Sequence, residues 1–251
     1  MSAQQRLLGK IVLVSGVGAG IGKGCALMFA RQGATVIGCD IDARSAALTA
    51  EQAPGLEIAA PCDLTDPSAA QALADGIAAR HGRIDVLVNA AATAVFKPLE
   101  EMDYADWRKT LAAELDTVFL LCKAAWPLLK MRGGSIVNFA SANAHLALEG
   151  SPALAHCAGK GGVLAMTRQL ALEGAPHNIR ANTISPGLIV TDATRPVLEQ
   201  PGFVDNVLAH AMLKRLGQPE DVAWCAVYLA SDESSWVTAA DFSVDGGATA
   251  L

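Results

Sequence analysis

Apolar residues recur along this chain in short runs that alternate with longer segments of helical periodicity. The first run, 11–14, is rich in β-branched residues and has no polar alternation, which is typical of a strand buried on both faces. Other apolar runs of this kind end at, or are interrupted by, small and polar residues. The predicted strands are 11–14, 34–40, 56–64, 84–89, 135–141, 178–185 and about 240–244.

Helical patterns fill most of the chain between these strands. The predicted helices are 23–30, 67–81, about 103–131, about 152–175 and 219–230. Strands that alternate with helices predict a single α/β domain over residues 1–251, a doubly wound parallel sheet of about seven strands with helices on both faces. In such a sheet, ligands bind at the carboxyl ends of the strands.

The segment 187–216 does not fit this alternation, because its polarity is mixed and Pro196, Pro201 and Gly202 interrupt it. A long irregular segment beside a regular domain is typical of a functional loop. We expect it to form a mobile substrate lid.

Composition favours a large core and disfavours several classes of partner. Of the 251 residues, 52% are hydrophobic and 18% are charged, and the net charge is −6 without a basic run. Binding of nucleic acid through a basic patch is therefore not expected. No run of about 18 apolar residues is present and the first ten residues lack a signal-peptide core, so we expect a cytoplasmic protein without a membrane partner.

The six cysteines are scattered, mostly among apolar residues, and form no pairs at metal-binding spacing. We interpret them as small buried residues of a protein in a reducing compartment, and no metal site is expected.

Glycines at 16, 18, 20 and 22 lie between the first strand and the first helix. Glycine permits a sharp turn and a close approach of the backbone to phosphates, while N–H groups and the helix dipole supply partial positive charge. The position of the glycines predicts a pyrophosphate site. A glycine-rich turn without a ligand is the alternative.

Asp40 ends the second strand, 18 residues after Gly22. A carboxylate near this spacing accepts hydrogen bonds from an adenosine ribose and would repel a 2′-phosphate, so NAD is favoured over NADP. Arg44 is a counter-indication, since it could reach a phosphate. Asp40 could instead cap the following helix, although Asp42 fits that role better.

Asp63 lies at the end of the third strand. It could contact the adenine, or it could cap the helix that begins near Pro67.

Together these motifs resemble the short-chain dehydrogenase/reductase family in its common short form, from about Lys10 to Gly247. The stretch from Ser15 to Gly22 resembles the family's cofactor loop, Thr-Gly, three residues, Gly-X-Gly, with Ser for Thr. The turn Asn89-Ala-Ala-Ala stands where the family has Asn-Asn-Ala-Gly. The resemblance implies a Rossmann-type fold, a nicotinamide cofactor, an alcohol or ketone substrate and a homotetramer. The cofactor-binding positions that it implies, together with those argued above, are Ser15, Gly16, Gly18, Gly20, Ile21, Gly22, Asp40, Asp63, Leu64, Asn89, Ala90, Lys160, Pro186, Gly187, Ile189 and Thr191.

The family's catalytic set is an Asn, a Ser and a Tyr followed four residues later by a Lys. Ser141 and Lys160 match their positions, but His156 stands at the Tyr and Glu114 at the Asn. Two of the four catalytic positions therefore hold a residue type that differs from the family's.

His156 and Lys160 are four residues apart on a predicted helix and so share a face. An imidazole, with an ordinary pKa of about 6.5, needs less tuning to accept a proton near neutral pH than a phenol near 10. This property suits alcohol oxidation, with Ser141 donating a hydrogen bond to the substrate oxygen and Glu114 pairing with Lys160. The imidazole is shorter than a phenol, so a bridging water could be needed.

Three functions stay open at this stage. The first is an NAD-dependent oxidoreductase with His156 in place of tyrosine. The second is a catalytically silent dinucleotide-binding protein, in which His156 is inert or was introduced deliberately. The third is a lyase or isomerase that uses His156 and Glu114 as acid and base. Independently of these functions, Glu114 could be an exposed helix acid. His145 could face the substrate or be an ordinary loop residue.

The two long helices carry apolar residues around most of their circumference. These residues are Leu115, Val118, Phe119 and Cys122 on one helix and Val163, Leu164, Met166 and Leu170 on the other. One sheet face cannot cover them all, which favours a symmetric oligomer.

Overall fold

The computed structural model describes residues 5–251. Its strands are β1 (Ile11–Ser15), β2 (Thr35–Cys39), β3 (Leu56–Ile58), β4 (Val86–Asn89), β5 (Gly134–Phe139), β6 (Ile179–Pro186) and β7 (Asp241–Val244). They form one sheet in the order β3-β2-β1-β4-β5-β6-β7, and every pair is parallel. The domain prediction and the signal-peptide expectation both include residues 1–4, which lie outside the described residues.

Helices connect the strands and cover both faces of the sheet. They are α1 (Gly20–Arg31), α2 (Ala43–Ala50), α3 (Pro67–His81), α4 (Tyr104–Leu111), α5 (Thr117–Leu129), α6 (Leu154–Gly174), α7 (Arg195–Leu198), α8 (Phe203–Ala209) and α9 (Pro219–Ala230). A π-helical turn, Ala112–Asp116, joins α4 to α5.

The alternation of side chains along each strand divides the core into two layers. In β1, Val12 and Val14 pack in the layer that holds α1 and α9, whereas Ile11 and Leu13 pack in the layer that holds α3, α5 and α6. The predicted doubly wound α/β fold with a parallel seven-stranded sheet is therefore confirmed.

The strand order reverses beside β1: the chain builds β2 and β3 on one side and then returns to place β4 on the other. A crevice opens at the carboxyl ends of the strands at such a point. The glycine loop follows β1 and the predicted reactive positions follow or face β5, so the topology brings them to one edge of the sheet.

Most predicted boundaries differ from the structure by a few residues, and three segments differ more. The third strand ends at Ile58 rather than at residue 64, because Pro61 cannot donate a ladder hydrogen bond. The helix expected over 103–131 is α4, the π-helical turn and α5 in succession. The segment 187–216, expected to be irregular, contains α7 and α8, with Pro196 in the first turn of α7.

All six cysteines are free thiols, and four of them are buried. Within residues 5–251, no helix combines the length and the hydropathy that crossing a bilayer would require.

Candidate active site

A cleft of about 1410 Å³ lies at the carboxyl ends of β4, β5, β6 and β7. Its walls are largely apolar, and its polar residues include all four predicted catalytic positions. The apolar residues include Phe96, Leu146, Leu148, Val207, Leu208 and Met212. An apolar cleft with a few convergent polar groups is the usual form of a small-molecule site.

The glycine loop packs directly against the turn that follows β4. Gly16 has φ of 73°, and an added Cβ would lie 2.8 Å from the Ala91 Cα. At Gly22, an added Cβ would lie 2.1 Å from the Gly16 carbonyl oxygen. The Ser15 hydroxyl accepts hydrogen bonds from the N–H groups of Ala90 and Ala91 and so ties the two turns together. Only glycine fits at these two loop positions.

Helix α1 begins at the glycine loop with Ala19 as its N-cap, and no side chain among residues 5–251 caps it. The first N–H groups of a helix lack partners within the helix, and here no Ser, Thr, Asp or Asn side chain satisfies them. A helix start without a side-chain cap, next to the glycine loop, fits a pyrophosphate, as the sequence predicts.

Asp40 lies directly beside the glycine loop. Its Oδ2 accepts a hydrogen bond from the Gly18 N–H at 2.8 Å, and its Oδ1 accepts one from the Asp42 N–H at 2.9 Å. Asp42 is the N-cap of α2, so the alternative that Asp40 caps this helix is wrong. The carboxylate of Asp40 is thereby held against the glycine loop.

Asp63 and Leu64 follow β3 in a turn. Asp63 accepts hydrogen bonds from the N–H and the hydroxyl of Thr65, whereas Asp66 caps α3. The alternative that Asp63 caps the helix near Pro67 is therefore wrong. Leu64 is buried.

Asn89, at the end of β4, turns its side chain into the core. Its Nδ2 donates to Asn138 Oδ1 at 2.7 Å, and Asn138 Nδ2 donates to the Thr167 hydroxyl on α6 at 2.8 Å. This network fixes the spacing of β4, β5 and α6, and with it the frame that carries the reactive side chains.

Ser141, His156 and Glu114 form a continuous hydrogen-bonded chain. His156 Nε2 lies 3.2 Å from Ser141 Oγ, and His156 Nδ1 lies 2.7 Å from Glu114 Oε1. Glu114 is only 2% exposed, so the alternative of an exposed helix acid is wrong. A buried carboxylate beside Nδ1 selects the tautomer that carries its proton there, which leaves Nε2 free to accept a proton.

Local geometry explains how Glu114 reaches the histidine. The residue lies in the π-helical turn, a widened turn of the kind often found at functional sites. Its second oxygen, Oε2, is buried without a hydrogen-bond partner among residues 5–251. An added Cβ at Gly159 would lie 2.9 Å from Oε2, so a glycine in α6 provides the space for the carboxylate.

Lys160 lies one turn after His156 and is 7% exposed, so it is not a solvated lysine. Its ammonium donates to the Phe139 carbonyl at 3.1 Å and lies 3.9 Å from Glu114 Oε1. Burial lowers the pKa of Lys160 below its ordinary value of 10.5, and the charge of Glu114 opposes that shift. The predicted Glu114–Lys160 pair is thus present, but the contact of Glu114 with His156 is shorter.

The remaining predicted cofactor positions border the same cleft. Ile21, Ala90, Pro186, Gly187, Ile189 and Thr191 all line it. At Gly187, an added Cβ would lie 2.8 Å from the Asp245 Cα, so the turn after β6 packs tightly on the segment after β7. At Gly20, an added Cβ would lie 3.3 Å from the Thr191 methyl group, so this turn also approaches the glycine loop.

His145 does not belong to the cleft. Its Nε2 lies 2.9 Å from Asp241 Oδ2, and Ser185 also donates to that carboxylate. This contact joins the loop after β5 to β7, and the expectation that His145 could face substrate is not supported.

The sequence did not predict two contacts made by the hydrogen-bonded side chains of Ser141, His156 and Glu114. The Phe96 ring lies 5.4 Å from the His156 ring, centroid to centroid, and the Asn143 N–H donates to Ser141 Oγ at 3.1 Å. Phe96 lies in a loop without periodicity, so no pattern marked it. Within residues 5–251, no group of His, Cys, Asp and Glu side chains could hold a metal ion.

Comparison with known proteins gives matches over nearly the whole chain. A family model described as enoyl-(acyl carrier protein) reductase matches residues 16–249. D-threitol dehydrogenase from Mycolicibacterium smegmatis is 39% identical over 248 residues, which cover 97% of this chain and 94% of that protein. The 7alpha-hydroxysteroid dehydrogenase of Escherichia coli is 34% identical over 249 residues, which cover 96% of this chain and 95% of that protein.

Solved structures agree with these matches. The crystal structure of gox2181 has a TM-score of 0.95 at 31% identity, covering 99% of this chain and 98% of that one. The aldohexose dehydrogenase of Thermoplasma acidophilum has a TM-score of 0.88 at 29% identity, covering 99% of this chain and 97% of that one.

Proposed function

Since the chain belongs to the short-chain dehydrogenase/reductase family, we propose that it is an NAD-dependent oxidoreductase acting on a secondary alcohol or its ketone. The observation that carries the proposal is the hydrogen-bonded chain Ser141–His156–Glu114 inside the cleft. It provides a proton acceptor at the position where the family has tyrosine.

In the direction of alcohol oxidation, Ser141 donates a hydrogen bond to the substrate oxygen and His156 Nε2 accepts the hydroxyl proton. Glu114 stabilises the imidazolium that forms, because its buried carboxylate accepts a hydrogen bond from Nδ1–H. A positioned base of this kind contributes about 10²–10⁴-fold to rate. In our proposal, Ser141 and His156 are the catalytic residues and Glu114 orients the base.

When bound, the nicotinamide supplies the acceptor for the hydride that leaves the carbinol carbon. Three features fit this cofactor: the glycine loop, the uncapped start of α1, and the turn that contains Pro186 and Gly187. We assign Lys160 to the nicotinamide ribose, with its ammonium released from the Phe139 carbonyl. Because Lys160 is buried, its ammonium stays close to the hydrogen-bonded side chains of Ser141, His156 and Glu114.

Asp40 supports NAD rather than NADP as the cofactor. Its carboxylate adjoins the glycine loop, and a 2′-phosphate placed there would meet negative charge at short range. A relative from Listeria innocua, 34% identical over 242 residues, is described as an NAD-dependent glycerol dehydrogenase.

The segment 187–216 contributes Thr191, Phe203 and Met212 to the cleft, and we propose that it acts as the substrate lid. Three relatives are named for D-threitol, glycerol and meso-2,3-butanediol, which supports a small secondary alcohol as substrate.

We also propose a homotetramer. Part of the apolar surface of the long helices is buried inside the subunit, but Phe119 on α5 and Leu172 on α6 are 51% and 69% exposed, and Met131, two residues after α5, is 65% exposed. Subunit association would cover these side chains. Light scattering distinguishes a tetramer from a 25.9 kDa monomer.

The function is tested by the absorbance of reduced nicotinamide while NAD is offered with D-threitol, meso-2,3-butanediol and a 7α-hydroxysteroid. Turnover with at least one secondary alcohol is the expected result. Tight NAD binding without turnover of any alcohol or ketone would instead support a dinucleotide-binding protein without redox activity.

A further inference from the structure

The order of groups Ser141–His156–Glu114 is also that of a nucleophilic triad. In such a triad, a hydroxyl contacts one nitrogen of an imidazole and a buried carboxylate holds the other, and the arrangement is recognised by geometry and not by chain order. We propose that this site has a second activity, hydrolysis of carboxylic esters through an acyl-enzyme on Ser141. The activity uses the same side chains as the proposed dehydrogenation but requires no nicotinamide.

The geometry around Ser141 supports activation of its hydroxyl. Oγ lies 3.2 Å from His156 Nε2, and the 2.7 Å contact with Glu114 orients the ring so that Nε2 faces the hydroxyl. Glu114 is buried and His156 is 16% exposed in its side chain, so water competes little for either contact. Tyrosine has a single polar atom, so it could not contact the carboxylate through one atom while a second atom accepts the serine proton.

A backbone N–H group contacts the Ser141 hydroxyl, and a cationic side chain lines the same cleft. The Asn143 N–H donates to Ser141 Oγ at 3.1 Å, and Lys160, whose ammonium donates to the Phe139 carbonyl, is among the residues that line the cleft. Donors near a developing oxyanion are usually a large contribution to acyl-transfer catalysis.

The proposed reaction proceeds in two balanced halves. Ser141 Oγ bonds to the ester carbonyl carbon while its proton passes to His156 Nε2, and the carbonyl electron pair moves onto oxygen. When that pair returns, the bond to the alcohol oxygen breaks and the leaving alcohol takes the proton from His156. Water then attacks the acyl group by the same route, which releases the carboxylic acid and restores the Ser141 hydroxyl.

The cleft favours esters with apolar groups. Phe96 packs against His156, and Leu148, Val207 and Met212 line the same space. We therefore assign the substrate class as esters of uncharged, apolar carboxylic acids.

The first test is release of p-nitrophenol from p-nitrophenyl butyrate by the full chain without any nucleotide. We expect hydrolysis that falls at least about a hundredfold in Ser141→Ala and in His156→Tyr. Ser235→Ala is the matched control, because Ser235 is exposed and lies outside the cleft, and it should hydrolyse the ester at the wild-type rate. No release above buffer, or equal release by Ser141→Ala, would overturn the proposal.

A second test needs no variant. Phenylmethylsulfonyl fluoride should sulfonylate the wild-type chain once, and peptide mass mapping should place the label on Ser141. A label confined to other residues, or no label, would contradict an activated serine. Because neither assay contains NAD or an alcohol, failure here leaves the dehydrogenase proposal standing, and the nicotinamide assay can fail independently of both.

Discussion

Glu114 Oε1 lies 2.7 Å from His156 Nδ1, although the two residues are 42 positions apart in the chain. The same oxygen is 3.9 Å from the Lys160 ammonium, so the buried carboxylate contacts the histidine more closely than the lysine. This contact gives the histidine a fixed tautomer, and the proposed chemistry depends on it.

Glu114→Gln should lower alcohol turnover by roughly 10²–10⁴-fold while NAD affinity changes little. A glutamine amide can donate to Nδ1, which favours the tautomer with its proton on Nε2 and removes the proton acceptor. Steady-state turnover and NAD titration measure the two quantities separately. Equal loss of NAD affinity and turnover would indicate a folding defect and contradict the assigned role.

Gly159→Ala should reduce turnover even though alanine is the better helix former. The added Cβ would meet Glu114 Oε2 at 2.9 Å and displace the carboxylate from His156. Gly161→Ala is the matched control in the same helix, because an added Cβ there meets no atom within 4 Å. It should retain turnover and gain up to about 1 kcal/mol in the free energy of unfolding. Similar turnover in both variants would show that Gly159 does not make room for Glu114.

Much of the fold could be predicted from the sequence, because apolar runs and helical periodicity are local signals. The glycine loop and the shared helix face of His156 and Lys160 were also predictable, since spacing within one loop or helix fixes them, and the family resemblance implied the position of Ser141. The Glu114–His156 contact was not. It depends on a π-helical turn that changes the direction of Glu114 and on a glycine in a separate helix, and neither leaves a periodic signal.

Asp40 should make NAD bind more tightly than NADP by at least about 1.4 kcal/mol, which is tenfold in affinity. Asp40→Asn keeps an acceptor for the Gly18 N–H but removes the charge, so it should narrow this difference. Fluorescence titration with both dinucleotides measures it. Equal affinities in the wild-type protein, or tighter NADP binding, would refute the assignment of NAD.

Lys160 should make stability depend on pH. Burial lowers its pKa in the folded protein, so between that pKa and 10.5 the unfolded chain binds more protons than the folded one. The contribution of this group to the free energy of unfolding therefore rises with pH across that window. Lys160→Met lacks the group, so the stability of the variant relative to wild type should fall as pH rises.

Urea unfolding of both proteins at about pH 7 and about pH 10 provides the comparison. A difference between the two proteins that stays constant over this range would show that Lys160 is not desolvated in the fold.

The most direct test of the central claim is the turnover of His156→Ala with NAD and an alcohol that the wild-type protein oxidises. If His156 accepts the substrate proton, turnover should fall by roughly 10²–10⁴-fold while NAD affinity stays nearly intact. Unchanged turnover in His156→Ala would contradict the account, because it would remove the histidine, and with it Glu114, from the mechanism.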